Sequence, residues 1–349
     1  MQPKVTIILP VYNVEPYLRE CLDSVVNQTM REIQIICVND GSTDGSPAIL
    51  EVYAAKDPRI MIIHQANQGG GSARNAAFPH IQGKYTYFID PDDWIDLQLC
   101  EKLFQCAEEN QAEVVYLDHW NADLDGKNIT YCGNSYQALS HIRNLPLRVI
   151  KENLFSIATT FRKFWNSRFL LEHQVTFVTG KRPGNDVLQN WKGLLHAQRI
   201  AVLDERLYYH RKRSGSYQNS NDYSTRYIIF QVYDEIREYL IDSGYYHQYK
   251  EFYATLKLRS IFSLYARSPM KVRGTMFKMA LENFGEDERV FSRKASPWNR
   301  GTVFSGKVFA IKERRFVQFL FYSLLMFIYV HAYLLVLTVK KLVSIRSKQ

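Results

Sequence analysis

Apolar and polar positions alternate in blocks along the first 120 residues. Val5-Thr6-Ile7-Ile8-Leu9 is a nearly unbroken apolar run closed by Pro10, the pattern of a strand buried on both faces. Tyr17, Leu18, Cys21, Leu22, Val25 and Val26 then recur at helical spacing, which predicts a helix over 17–26. The alternation continues with strands over 33–38, 60–63, 85–89 and 112–117. Helices are predicted over 46–55, 72–81 and 96–109. Pro47 suits a first helical turn, and Pro79 weakens the end of its helix. Strands alternating with helices predict an α/β fold built on a parallel, doubly wound sheet. From about 118 to 180 the periodicity blurs. Helix-like, tyrosine-rich segments follow over 223–241 and 249–265.

In such a sheet, ligands bind beyond the carboxyl ends of the strands. Three polar clusters fall there: Pro10-Val11-Tyr12-Asn13, Asn39-Asp40-Gly41-Ser42-Thr43-Asp44 and Asp90-Pro91-Asp92-Asp93-Trp94. The third places three carboxylates within four positions, directly after an apolar run. Carboxylates so crowded repel each other and are best tolerated around a cation. Mg²⁺ or Mn²⁺ takes oxygen ligands and keeps positions for phosphates. The cluster therefore reads as an Asp-x-Asp site for a metal-bound nucleotide diphosphate, or else as a solvated acidic turn with a helix cap.

Composition changes the picture only near the C-terminus. With 46% apolar and 23% charged residues the 349-residue chain is ordinary globular material for one large domain or two. Its net charge of +9 is uneven. Residues 267–349 hold 16 Lys/Arg against 5 Asp/Glu, a balance of +11 that leaves the rest at −2. Phe316 to Val339 has no formally charged residue and basic flanks on both sides, long enough to span a bilayer or lie in its interface. A membrane surface is the partner this pairing favours over nucleic acid, with a dimer of C-terminal helices as the alternative. Five scattered cysteines without ligand spacing, and a first strand too early for a leader, suit buried thiols in a reducing cytoplasm.

Four segments in order carry a resemblance: residues 5–13, 38–44, 67–75 (Asn67-Gln68-Gly69-Gly70-Gly71-Ser72-Ala73-Arg74-Asn75) and 88–94. The chain resembles the family 2 glycosyltransferases of GT-A fold, strongly over 3–120 and more weakly to about 216. The resemblance implies an inverting, metal-dependent enzyme using a nucleotide sugar. Pro10, Tyr12 and Asn13 would then face the nucleotide. Asp40 would accept a hydrogen bond from the uracil N–H, since a carboxylate offers only acceptors. Asp44 caps the second helix or assists base binding. The three glycines permit close backbone approach, and Arg74 would reach ribose or diphosphate. Asp90 would contact the ribose and Asp92 the Mn²⁺ or Mg²⁺. Asp93 is either a supporting carboxylate or a helix cap, and Trp94 packs.

An inverting transfer needs a general base for the acceptor hydroxyl. Relatives carry Glu-Asp at a helix start; here the matching stretch is Gly184-Asn185-Asp186-Val187, with Asp186 the candidate base or a helix cap and Asn185 in place of the glutamate. In Tyr208-Tyr209-His210-Arg211-Lys212-Arg213-Ser214-Gly215-Ser216, a basic loop would face the leaving diphosphate. His210 would be a further metal ligand, and Arg211, Arg213 and Ser216 phosphate contacts. The expected organisation is a GT-A catalytic domain over 1–218, a helical basic region over 219–311 and an apolar helix over 312–349. The stretch after 118 would shape an acceptor cleft. The expected activity is transfer from a nucleotide sugar, UDP-linked, to a hydroxyl of a glycan or lipid-linked glycan. Bacterial surface-polysaccharide synthesis at the cytoplasmic face of the inner membrane is the context implied. The alternatives are transfer to a polyprenyl phosphate, or a non-catalytic nucleotide-sugar or glycan-binding module.

Overall fold

The computed structural model describes residues 2–131, 145–181, 184–212, 228–267 and 273–275. The chain divides into two compact units, Met1–Asn221 and Asp222–Gln349. In chain order the first unit contains β1 (Val5–Val11), α1 (Glu15–Val26), β2 (Ile33–Asp40), α2 (Ser46–Ala54), β3 (Ile60–Gln65), α3 (Gly70–Ala76), β4 (Tyr85–Phe88), β5 (Trp94–Ile95) and α4 (Leu99–Glu109). It continues with β6 (Val114–Leu117), β7 (Trp120–Ala122), β8 (Ile129–Tyr131), α5 (Leu147–Leu154), β9 (Lys163–Asn166), α6 (Ser167–Glu172), α7 (Asn185–His196), β10 (Ile200–Leu203) and β11 (Tyr208–Arg211).

Seven strands form the central sheet in the order β10-β6-β9-β4-β1-β2-β3. It has the expected α/β, GT-A architecture, but it is mixed rather than parallel. β9 runs antiparallel between β4 and β6, in the registers Tyr87↔Phe164 and Tyr116↔Lys163. Its first residue therefore lies at the carboxyl ends of its neighbours. β9 is obscure in sequence because Arg162 and Lys163 interrupt the apolar run, yet both are wholly buried. A second sheet, β5-β11-β7-β8, lies beyond the Asp-rich turn. The expected basic loop after the base is thus, over 208–211, a strand.

Two further boundaries differ. β1 does not end at Pro10 but runs to Val11, with Pro10 opposite Val38. The β1–β4 ladder has ended by then, at Ile8↔Phe88, so Pro10 is flanked by one strand only, where a missing N–H is tolerated. The helix expected over 72–81 is α3 followed by a 3₁₀ turn, Phe78–His80, with Pro79 inside the tighter turn.

The core fills one face of the sheet under α1, α2 and α4. Val5, Ile7, Leu9, Ile35, Tyr87, Val115 and Phe164 meet Leu18, Leu22, Val25, Leu50 and Leu103 there. Cys21, Cys37 and Cys100 are buried free thiols. α7 packs on β9 at Gly193, where an added Cβ would lie 2.1 Å from the Trp165 ring. The second unit holds α8 (Ile228–Asp242) and α9 (Tyr246–Arg267), a helical hairpin turned at Gly244. It is tied by the Tyr253 hydroxyl donating to the Tyr233 carbonyl at 2.9 Å. Among the described residues no helix is long and apolar enough to cross a membrane. The 316–339 segment lies outside the described residues.

Candidate active site

The predicted strand-end residues of the first unit converge beyond the carboxyl ends of β1, β2 and β4. Tyr12 follows β1 with 45% of its surface exposed, an aromatic face open to a ligand. Asn13 takes a positive φ of 48° and accepts from the Thr43 N–H at 2.8 Å, joining the β1 and β2 ends. Asp40 is buried and accepts from Gln65 Nε2 at 2.7 Å and from the Gln68 and Gly69 N–H groups at 2.8 Å. It anchors the glycine segment. Asp44 accepts from the N–H of Glu15 and that of Ser46, each at 3.0 Å, and so ties down both α1 and α2. Burial raises its pKa, but the Glu15 and Ser46 hydrogen bonds outweigh it and hold the carboxyl below the ordinary range.

The glycines approach protein rather than open space. A Cβ on Gly69 would meet the Gly180 carbonyl at 2.6 Å, and one on Gly71 the Val178 carbonyl at 2.2 Å. Asn75 exchanges two hydrogen bonds with the Phe177 backbone, at 2.8 and 2.9 Å, and Ser72 Oγ accepts from the Gly180 N–H. α3 therefore clamps the segment that leads into α7. Arg74, 9% exposed, pairs with Asp90 and lies over the Phe177 ring. Its Nε is buried without a hydrogen-bond partner among the described residues. A buried guanidinium N–H left unpaired is costly, so this donor is suited to a ligand oxygen.

The Asp-rich turn is held from β11. Asp93, 1% exposed, accepts from the Tyr208 hydroxyl at 2.6 Å and the Arg211 N–H at 2.8 Å, and contacts His210 Nδ1 at 3.2 Å. It is a bracket between turn and strand, not a helix cap. Burial pushes its pKa up to about 6 against the pull of His210, and Asp92 and Asp90 add to the rise. Trp94 packs as expected, stacked on Tyr209 at 5.2 Å.

Arg211 departs from its expected role. Only 4% exposed, it donates from Nε to the Asp92 carbonyl at 3.0 Å, from Nη1 to the Leu124 carbonyl and from Nη2 to Glu20. Trp94 and Tyr17 flank its guanidinium at 4.5 and 5.3 Å. Each of its three nitrogens donates to a protein oxygen, so it clamps the turn. Arg213 and Ser216 lie outside the described residues.

Asp186 sits in the first turn of α7, after Gly184 in a left-handed conformation. The helix N-terminus favours a carboxylate there. Burial raises its pKa; Lys163 and Arg74 oppose the rise and Asp90 reinforces it. The fold thus brings the candidate base, far along the sequence, into electrostatic reach of the Arg74–Asp90 pair at the end of β4.

No three His, Cys, Asp or Glu side chains form a ready metal cage among the described residues. The donors nevertheless fit a hard divalent ion. Half-buried Asp92 stands beside Asp90 and Asp93, whose crowding already raises Asp93. Diphosphate oxygens would complete such a coordination sphere. A histidine fixed through Nδ1 by a carboxylate, as His210 is by Asp93, presents Nε2 to a metal.

Several residues here escaped sequence reading. Asp118 and His119 follow β6 as the other polar clusters follow β1, β2 and β4, and that position was the available signal. Asp118 pairs with buried Arg162 at 2.8 Å, and burial drives the His119 pKa down to about 3, leaving it neutral. Lys163 on β9 and Asn190 on α7 are wholly buried, and nothing in their sequence neighbourhood marks them.

The family model for glycosyl transferase family 2 matches residues 6–177. Glycosyltransferase GlyG of Streptococcus pneumoniae serotype 4 is 30% identical over 244 residues, 67% of this chain and 80% of GlyG. The poly(ribitol-phosphate) beta-glucosyltransferase of Bacillus spizizenii is 32% identical over 230 residues, 62% of this chain and 33% of that protein. The chain spans only 31%, 63% and 33% of the length of three other curated relatives. Among solved structures, S. aureus TarS 1-349 in complex with UDP-GlcNAc has a TM-score of 0.71 at 21% identity, covering 90% of this chain and 89% of that one. This last likeness bears on the fold alone.

Proposed function

The chain belongs to glycosyl transferase family 2, and on that premise we propose that it is an inverting glycosyltransferase moving a sugar from UDP to a hydroxyl of a surface glycan. The observation that carries this reading is the placement of Asp186, at the start of α7, within electrostatic reach of the Arg74–Asp90 pair. Asp40 supports a uracil base. Three of the roughly four acceptor positions of its carboxylate are filled, one donor on Oδ2 and two on Oδ1, which leaves a position on Oδ2 for an imide N–H. The unpartnered Nε of Arg74 suits a ribose or diphosphate oxygen.

In a single displacement the acceptor oxygen attacks the anomeric carbon, the bond to the diphosphate oxygen breaks, and the hydroxyl proton passes to Asp186. An α-linked donor then gives a β-glycoside. A divalent ion held by Asp92 and His210 would supply charge neutralisation of the diphosphate. The beta-glucosyltransferase among the relatives supports a β-linked product and a cell-surface polymer as acceptor. The apolar 316–339 segment and its basic flanks would hold the enzyme at the cytoplasmic face of the membrane, near a lipid-linked acceptor.

The test is nucleotide release from UDP-, GDP-, CMP- and dTDP-sugars, with Mn²⁺ and with EDTA, beside Asp92→Asn and Asp186→Asn. Release from a UDP-sugar, abolished by EDTA and by Asp92→Asn and lowered about 10²–10⁴-fold by Asp186→Asn, is expected. Full activity in Asp186→Asn would point instead to a phosphate acceptor, which needs no base. Absence of any nucleotide binding would refute the reading.

A further inference from the structure

Lys163 is a lysine with no surface at all, at the head of the antiparallel strand of the central sheet. Its Nζ reaches three neutral acceptors: the Ala158 carbonyl at 2.7 Å, Asn190 Oδ1 at 3.1 Å and the Ile157 carbonyl at 3.5 Å. Among the described residues no carboxylate lies within ion-pairing distance of it. A buried ammonium without a paired anion is expensive. Asn190 is fully committed as well. Its Oδ1 also accepts from the Tyr116 hydroxyl at 2.9 Å, and its Nδ2 donates to the Leu154 and Phe155 carbonyls at 3.2 and 3.1 Å. Asn190 stands four residues after Asp186 on α7, on the same helical face. The network therefore fixes α7 against the sheet directly below Asp186.

The charges around this point are few. Facing Asp186 are Lys163 from β9, Arg74 from α3 and Asp90 from the end of β4. Facing Lys163 are Asp186, Arg162 and Arg74. Arg74 is already neutralised by contact with Asp90, and Arg162 by Asp118. Among the described residues Lys163 has no carboxylate at ion-pairing distance, and Asp186 is the anion it faces.

We propose that Lys163 is the positioning residue of the candidate base: its buried ammonium, oriented by Ala158 and Asn190, keeps the Asp186 carboxyl ionised. This rests on the reading of Asp186 as general base, but the coupling itself is measurable without turnover. Lys163 is pushed down to about 7, chiefly by its burial, so the ammonium is present on the acid side of neutrality, where a raised carboxyl would otherwise take up its proton.

The experiment is carbon-13 NMR titration of the full chain labelled at aspartate Cγ and lysine Cε. Asp186 and Lys163 are assigned from the signals lost in Asp186→Asn and Lys163→Gln. Glutamine keeps hydrogen-bond donors for the carbonyls and removes the charge. Removing an opposite charge from a buried site is expected to raise the Asp186 midpoint by about one to three pH units, a tenfold or larger gain in proton affinity. Should Lys163→Gln fail to fold, the reciprocal arm decides. In Asp186→Asn, where the lysine stays in place, the Lys163 midpoint must fall by a comparable amount, because coupling between two sites is mutual. A shift below about 0.3 unit at Asp186 in folded Lys163→Gln, or at Lys163 in Asp186→Asn, overturns the proposal. Donor hydrolysis then separates the two claims. If the midpoints move but Asp186→Asn hydrolyses donor at the wild-type rate, the coupling stands and the general-base reading falls.

Discussion

Arg211 separates two roles that a sequence cannot tell apart. As a phosphate contact it would matter for nucleotide binding and little for stability; as the clamp seen here it would matter for both, through the fold. Arg211→Ala strands the Asp92 and Leu124 carbonyls, each worth about 1–3 kcal/mol when buried and unsatisfied. It also removes the stacking of a cation between Trp94 and Tyr17, worth about 0.5–2 kcal/mol. The Glu20 side chain is half exposed, so its ion pair adds only about 0–1 kcal/mol. Partial relaxation and water entry reduce the sum, and a loss of about 3–5 kcal/mol is expected. Arg211→Lys, a point charge without the planar fork, should lose about 2 kcal/mol. The assay is urea unfolding followed by tryptophan fluorescence, since Trp94, Trp120, Trp165 and Trp191 all lie in the first unit. UDP affinity is measured in parallel under conditions where the variants are folded. An Arg211→Ala protein within about 1 kcal/mol of wild type, with UDP affinity reduced tenfold or more, would refute the clamp and restore the phosphate contact.

Burial of Lys163 makes stability depend on pH. Its pKa is 10.5 in an ordinary setting and about 7 here, so between these values the unfolded chain holds a proton the folded one lacks. Stability should therefore rise from pH 7 toward 10.5, by up to about 5 kcal/mol from this group, with the penalty fully present below 7. In Lys163→Met this slope, read from unfolding midpoints across the range, should flatten. Gly193→Ala should cost about 1–3 kcal/mol, seen as a lowered Tm, because its methyl would press into the Trp165 ring. Deleting residues from Phe316 onward should move the protein from the membrane to the soluble fraction; unchanged membrane partition would remove that segment as the anchor.

Sequence was most legible where local pattern and global role coincide. The runs at 5–9, 33–38 and 85–89 are strands because nothing in them disagrees with burial, and the strand-end polar residues stand out against them. The same contrast singled out Asp90 and Asp92, whereas Arg74 was singled out only through the resemblance. It failed where tertiary context overrides local chemistry. Residues 163–166 lie where the periodicity blurs, yet form an interior strand of the sheet, because Lys163 finds its acceptors on α7 and on the turn before β9. Arg211 looked like a free cation because its partners, at Glu20, Asp92 and Leu124, are distant in sequence. The glycines at 69 and 71 were legible as sites of close approach, but not the identity of what approaches, which is the 178–180 backbone.

The placement of β9 bears on how the chain acquires its shape during synthesis. β4, β1, β2 and β3 are neighbours in the sheet and are all made by Phe88, so this half can pair early. β6 emerges next but touches only β9 and β10, both of which come later. Until Asn166 leaves the ribosome, β4 presents an unpaired edge and β6 has no sheet to join. A nascent chain paused in that interval would expose the kind of edge that recruits chaperones or aggregates. The strand that closes the gap also brings in Lys163. The four residues that join the two halves of the sheet thus also carry the buried ammonium proposed to act on Asp186, and both are in place before the helix that bears Asp186 and the last strand of that sheet, β10, are made.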